Sequence, residues 1–241
     1  MKTFAVAARV LAQLRRDPRT LALIVGVPML LMTLLKELFA GRPTIFQHVG
    51  APLLGMFPFV TMFLVTSVTM LRERTSGTLE RLMASPLAKL DLLAGYGIAF
   101  AVLAAAQVGA VSALAFGALG LHVSGPKGVV TALAVANAVL GTALGLFVSA
   151  FAETEFQAVQ FMPAFVLPQI LLCGLFVARS SMATWLRWVS AALPLTYAYD
   201  ALVHAASNTL DTRFAVDVAV LCGCILLALV LGAATLRRRT A

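Results

Sequence analysis

The chain has 241 residues, 61% of them hydrophobic and only 12% charged, with a formal net charge of +8. A water-soluble globular domain carries roughly 45–50% apolar and about 25% charged residues, so the composition excludes that class and describes a membrane protein. The positive charge does not describe a nucleic-acid binder either, because the basic residues flank the apolar runs, where they set topology and meet anionic headgroups.

The opening residues, MKTFAVAARVLAQLRRDPRT, lack the long apolar core of a signal peptide. Within residues 2–16, Phe4, Ala7, Val10 (or Leu11) and Leu14 share one side, with Lys2, Arg9, Arg15 and Arg16 elsewhere. That pattern predicts an amphipathic helix lying along the inner headgroups, with a frayed basic tail as the alternative. Asp17-Pro18 then supplies an N-cap and a first-turn proline for the first of six predicted spans. This span covers about 20–38, with Pro28 inside it and Lys36-Glu37 at its end. The others cover about 51–71, 92–119, 129–151, 156–178 and 214–236. Each comes close to or exceeds the roughly 20 residues that cross about 30 Å of hydrocarbon. Gly141-x-x-x-Gly145 permits close helix approach in the fourth, and Pro163 and Pro168 bend the fifth. Cys173, Cys222 and Cys224 all lie in apolar runs and suit packing, since no histidine or acid near Cys222-x-Cys224 completes a metal set.

Between the second and third spans, Arg72 to Asp91 concentrates four basic and three acidic residues in RERTSGTLERLMASPLAKLD. Gly77 is placed to break the incoming helix, and Glu80 falls in the first turn of the next, where the helix dipole favours an anion. Leu79, Leu82 and Met83 recur at i, i+3 and i+4, giving a short helix one apolar face before Ser85-Pro86 starts another. The stretch is either a solvated connection or a docking piece for a soluble partner.

With the N-terminus inside, Lys2, Arg9, Arg15, Arg16, Arg19, Arg72, Arg74, Arg81, Lys89, Arg237, Arg238 and Arg239 are all inside. Only Lys36, Arg42, Lys127, Arg179, Arg187 and Arg213 are outside, so the positive-inside bias places both termini and the charged elbow in the cytoplasm. The segment from Arg179 to Asp217 then lies outside. It carries Trp185, Trp188, Tyr197 and Tyr199, rings that suit a membrane–water interface. Its SSMATWLRWVSAALP reads as a short re-entrant helix with Pro194 at the turn, or as a plain loop.

Three passages in register resemble the membrane subunits of ABC-2 type exporters, in the multidrug and antibiotic-resistance branch. RERTSGTLERLMASPLAKLDLLAGY is similar to that family's E-x-x-x-G-T-L-E-x-L-x-x-x-P segment after the second span. FQAVQFMPAFVLPQILLCGLF with MATWLRWVSAALPLTYAYDAL is similar to its fifth span and re-entrant exterior region, and Arg-Asp-Pro before the first span agrees. Tyr96 after Gly95, where the family often has lysine, and Val203, where it often has arginine, depart from the pattern. The resemblance implies an all-α membrane protein: one six-span domain over residues 1–241, an interfacial N-terminal helix, a cytoplasmic coupling helix between spans 2 and 3, and re-entrant exterior helices between spans 5 and 6. It also implies a bacterial plasma-membrane location.

The chain carries no G-x-x-x-x-G-K-[ST] loop, and its acidic groups sit at span edges or in loops (Glu37, Asp91, Glu153, Glu155, Asp200, Asp211, Asp217). A proton- or sodium-coupled carrier uses buried carboxylates as its relay, so the driving energy is expected from another polypeptide. The resemblance implies a separate ATP-binding subunit holding ATP and magnesium, with no cofactor, metal or catalytic group on this chain, and a second permease copy or paralogue. Arg74, Gly77, Thr78, Leu79, Glu80, Arg81, Leu82, Met83 and Pro86 are the expected coupling residues, the leucines and Met83 entering an apolar cleft. A path between the second and fifth spans would be lined by Phe59, Met62, Phe63, Thr66, Phe161, Phe165 and Gln169, with Gln157 and Gln160 as an inner gate. That lining suits export of a small hydrophobic or amphipathic compound, drug-like or lipid. A polysaccharide or lipid-linked precursor, or an ion, is the alternative cargo, and a secondary transporter the alternative engine. An intramembrane enzyme is disfavoured, because His48, His122 and His204 are dispersed and no His-x-x-x-His or Gly-x-Ser-x-Gly occurs.

Overall fold

A helix satisfies all its backbone polar groups within itself, which is why runs this apolar form helices in lipid. In the computed structural model, which describes residues 2–77 and 89–235, the described residues form nine α-helices and no strand. They are α1 (Lys2–Arg15), α2 (Pro18–Leu38), α3 (Pro43–Thr75), α4 (Lys89–Phe116) and α5 (Lys127–Ser149). After them come α6 (Glu155–Leu172), a 3₁₀ turn (Arg179–Ser181), α7 (Thr184–Ala192), α8 (Pro194–Ala206) and α9 (Thr212–Thr235). The helix starts follow local chemistry. Asp17 caps α2, accepting from the Thr20 amide at 3.2 Å and the Thr20 hydroxyl at 2.6 Å, with Pro18 in the first turn. Thr154 caps α6 by accepting from the Gln157 amide, while the Gln157 side chain accepts from the Glu153 amide at 2.8 Å.

Helices α2, α3, α4 from Ala94, α5 and α9 are long and apolar enough to cross a membrane. At about 1.5 Å per residue, the 33 residues of α3 reach about 50 Å, well beyond the hydrocarbon thickness. This helix begins eight residues before the expected boundary, at Pro43, and continues through Pro52 and Pro58. The predicted fifth span is shorter than expected. Helix α6 stops at Leu172, six residues early, because the chain turns at Gly174, whose φ of +112° is open to glycine and costly for other residues. With 18 residues and Gln157, Gln160 and Gln169 among them, α6 is not one of the five apolar helices.

The core is built on α3 and α5, which run parallel and in step. Gly55 faces the Asn137 side chain, Gly141 lies on the Phe59 carbonyl, and Gly145 lies on the Phe63 carbonyl. A Cβ added at Gly145 would come 2.6 Å from the Phe63 oxygen, so the fit is backbone on backbone. Helix α8 wedges into the far end of this pair, with Leu195, Ala198, Ala201, Leu202 and Ala205 all buried. The amides of Ser124 and Gly125 close its last turn by donating to the Ala206 carbonyl at 2.9 and 3.1 Å. At that same end, α4 stops at Phe116, three residues earlier than expected, and side chains take up the freed carbonyls. Lys36 Nζ donates to Leu119 at 2.6 Å and Gln47 Nε2 to Gly120 at 3.1 Å.

Candidate functional site at the base of the helical body

Three consecutive residues in the last turn of α3 hold three different parts of the molecule. Arg72 reaches α6, where its Nε and Nη2 donate to the two Glu155 carboxylate oxygens at 2.8 and 2.9 Å. Glu73 turns the opposite way, to α1 and α4. Arg74 Nη1 donates to the Ser149 carbonyl at the C-terminal end of α5, 2.6 Å away, where a cation meets the negative end of a helix.

Glu73 is the buried member, 6% exposed. Arg9 Nη2 lies 3.2 and 3.1 Å from its two oxygens and also donates to the Tyr96 hydroxyl at 3.1 Å, while Gln13 Nε2 adds a bond at 3.3 Å. A carboxylate removed from water persists only when paired and hydrogen-bonded, and here one guanidinium and one amide meet that demand. Gly95 makes the approach possible. A Cβ there would lie 2.6 Å from Val6 Cβ and 2.9 Å from the Thr3 carbonyl, so only a bare backbone admits α1 against α4.

The interfacial helix therefore differs from its sequence reading. Val6, Ala7 and Val10 are buried, whereas Phe4 is 69% exposed, and Arg9 points into the protein rather than at headgroups. The useful signal lay in spacing: Val6, Val10 and Gln13 follow one helical stripe, with Arg9 adjoining it. Tyr96, which the sequence marks only as a departure from the family pattern, is fully buried and completes the cluster.

Of the expected coupling residues, Thr78, Leu79, Glu80, Arg81, Leu82, Met83 and Pro86 lie outside the described residues. Gly77 does end α3, with φ +70°. Arg74 is engaged inside the chain by the Ser149 carbonyl. Of the expected path residues, Phe59, Met62, Phe63 and Thr66 all have zero exposure. Phe59 and Phe63 share an apolar cluster with Val166, and Phe161 packs against it, so α3 and α6 meet through a closed contact in the single chain. Phe165 is exposed and meets Phe161 edge-on at 6.0 Å. Gln160 is exposed, Gln157 is committed to the α6 cap, and buried Gln169 donates to the Phe165 carbonyl at 3.0 Å.

The ABC-2 type transporter family model matches residues 1–206. A curated relative, the "Probable multidrug ABC transporter permease YbhR" of Escherichia coli (strain K12), is 28% identical over 141 residues, which is 57% of this chain and 38% of that protein. The "ABC transporter G family member 20" of Dictyostelium discoideum is 25% identical over 147 residues, 61% of this chain and 20% of that protein. The match thus spans well under half the length of either relative. Because the family model runs from α1 through the end of α8, covering the α3 clamp and both helices it ties to α3 at Glu73, the chain belongs to the ABC-2 type transporter family.

Proposed function

We propose that the chain is the membrane permease of an ATP-driven exporter, worked by a separate ATP-binding subunit that docks on residues 77–86. One observation supports this above the others: Arg9, Glu73 and Tyr96 tie α1 to the end of α3 and the start of α4. These two helices flank the elbow on both sides, so a push delivered there reaches α1, α3 and α4 together, and reaches α5 and α6 through Arg74 and Arg72. In this reading Leu79, Leu82 and Met83 seat in an apolar cleft of the ATPase, and Glu80 and Arg81 set its register by charge. ATP and magnesium belong to that partner.

Both termini and the elbow lie in the cytoplasm, and α6 serves as a sixth crossing, shortened by its turn at Gly174. A second copy or a paralogue completes the unit. The cargo is a small amphipathic or hydrophobic compound, in keeping with the multidrug name of the YbhR relative and with the exposed rings of Phe156 and Phe165 on α6. The test is co-expression with the ATP-binding subunit, followed by ATP-driven uptake of an amphipathic dye into inverted vesicles. Glu80→Lys is expected to release the ATPase and lower uptake about tenfold or more, as loss of a register-setting charge does. Unchanged binding and uptake would overturn the docking assignment.

A further inference from the structure

At the end of the body opposite the α3 clamp, Arg179, Asp200, His204, Arg213, Val216 and Asp217 line a cavity of about 470 Å³. Two of its charges satisfy one another: Arg179 Nη2 lies 2.8 Å from Asp200 Oδ2. His204 Nδ1 is held by the Thr209 hydroxyl at 2.9 Å, which leaves its other ring nitrogen for the cavity. Asp217, partly buried, and exposed Arg213 remain. They stand one turn apart on α9, yet no ion pair joins them among the described residues. Side chains four apart on a helix are neighbours, about 5–6 Å between Cβ atoms, so a single small molecule can meet both.

Asp217 has the charges of His204 and Arg179 near it but, among the described residues, no ion pair with either, so Asp217 and Arg213 together specify a ligand with a cation and an anion close together. Asp217 is an acceptor only, and with Asp200 already taken by Arg179 it is one carboxylate, too few for calcium or magnesium, which take six or more oxygens. No group of three or more metal-capable side chains occurs among the described residues. An ammonium with N–H donors fits a lone carboxylate, and the planar fork of Arg213 fits a phosphate. The wall also shows where the ligand comes from. Val216 is 53% exposed beside the cavity and Leu210 is 47% exposed at the same end, while Trp185 and Trp188 of α7 are exposed as interfacial rings are. A polar cavity with an apolar lip at the rim of a membrane-spanning helix is open to a headgroup whose chains stay in the hydrocarbon.

We propose that the cavity binds the phosphoethanolamine group of a membrane phospholipid, ammonium on Asp217 and phosphate on Arg213. This site is separate from the elbow and needs no ATP, so its test is independent of the transport reading. The full chain, purified and stripped of lipid, is incubated with equal amounts of phosphatidylethanolamine, phosphatidylcholine and phosphatidylglycerol vesicle lipid, and retained lipid is measured by native mass spectrometry. Phosphatidylethanolamine should be retained about tenfold over phosphatidylcholine, whose quaternary nitrogen has no N–H for Asp217. Asp217→Asn should erase that preference. Arg213→Gln should lower retention of both zwitterionic lipids, and Arg213→Lys should restore most of it. Glu153→Gln, at the other end of the body, should change nothing, and unaltered thermal unfolding should show that each variant is folded. Soluble phosphoethanolamine at millimolar concentration distinguishes the sources: failure to displace the lipid supports the membrane source, and complete displacement supports a free solute bearing the same group. Equal retention of the three lipids by the unaltered chain, or a full preference in Asp217→Asn, would overturn the assignment.

Discussion

At the scale of single residues, the Glu73 carboxylate is the group whose surroundings are most demanding. Glu73→Gln leaves Arg9 facing a neutral amide. Because Arg9 is itself about one-third exposed, the loss should be about 2 kcal/mol, below the range for fully buried pairs. A double-mutant cycle of Glu73→Gln with Arg9→Met, read by thermal unfolding in detergent, should show the two changes coupled, and simple additivity would refute the pairing. Asp17 offers a pH test. Its carboxyl is held below the ordinary carboxylate range, chiefly by the Thr20 hydroxyl and then by the Thr20 amide. A lowered folded pKa stabilises above the unfolded value, roughly 3.9, and the contribution disappears as pH falls through the lowered value. Asp17→Ala should therefore unfold at a lower temperature than the unaltered chain at pH 7, and the difference should narrow steadily below pH 4.

At the scale of elements, the contact of α3 with α5 governs how the body closes. A side chain at Gly141 or Gly145 meets a backbone carbonyl of α3, which has no rotamer by which to yield. Gly141→Ala should cost about 1–3 kcal/mol, the usual penalty of overpacking, and Gly141→Leu should prevent stable insertion. Gly223 on α9 has nothing within 4 Å of an added Cβ, so Gly223→Ala should be nearly neutral. Equal tolerance at the two positions, by folded yield and unfolding midpoint, would refute the close approach of the α5 backbone to α3. The Gly141-x-x-x-Gly145 spacing was visible in the sequence, but its partner was not: glycine is frequent in membrane helices, and nothing along the chain says which carbonyl approaches it. The Thr154-x-x-Gln157 cap was equally legible as a capping pair, because a helix start leaves backbone donors that such side chains meet.

At the scale of the whole molecule, the passage of α6 decides the topology. If α6 crosses, Ser181 and Asn208 lie on the side opposite Ser76. In a cysteine-free background, Ser181→Cys and Asn208→Cys should react with an impermeant maleimide added outside intact cells, and Ser76→Cys only after permeabilisation. Labelling of all three from one side would exclude the six-span arrangement. Length and composition by themselves determined the membrane class, the order of the apolar helices and the direction of the charge bias, because burial in hydrocarbon is a local requirement that every residue of a span meets where it stands. The tertiary structure alone decided which charges turn inward. Arg9 finds Glu73 across 64 residues and Tyr96 across 87, and the side chains of Phe59, Met62, Phe63 and Thr66 are buried in the single chain. An ion pair's partner is set by which helices lie side by side, and that depends on the shape of the packed body, not on the run of residues around either charge.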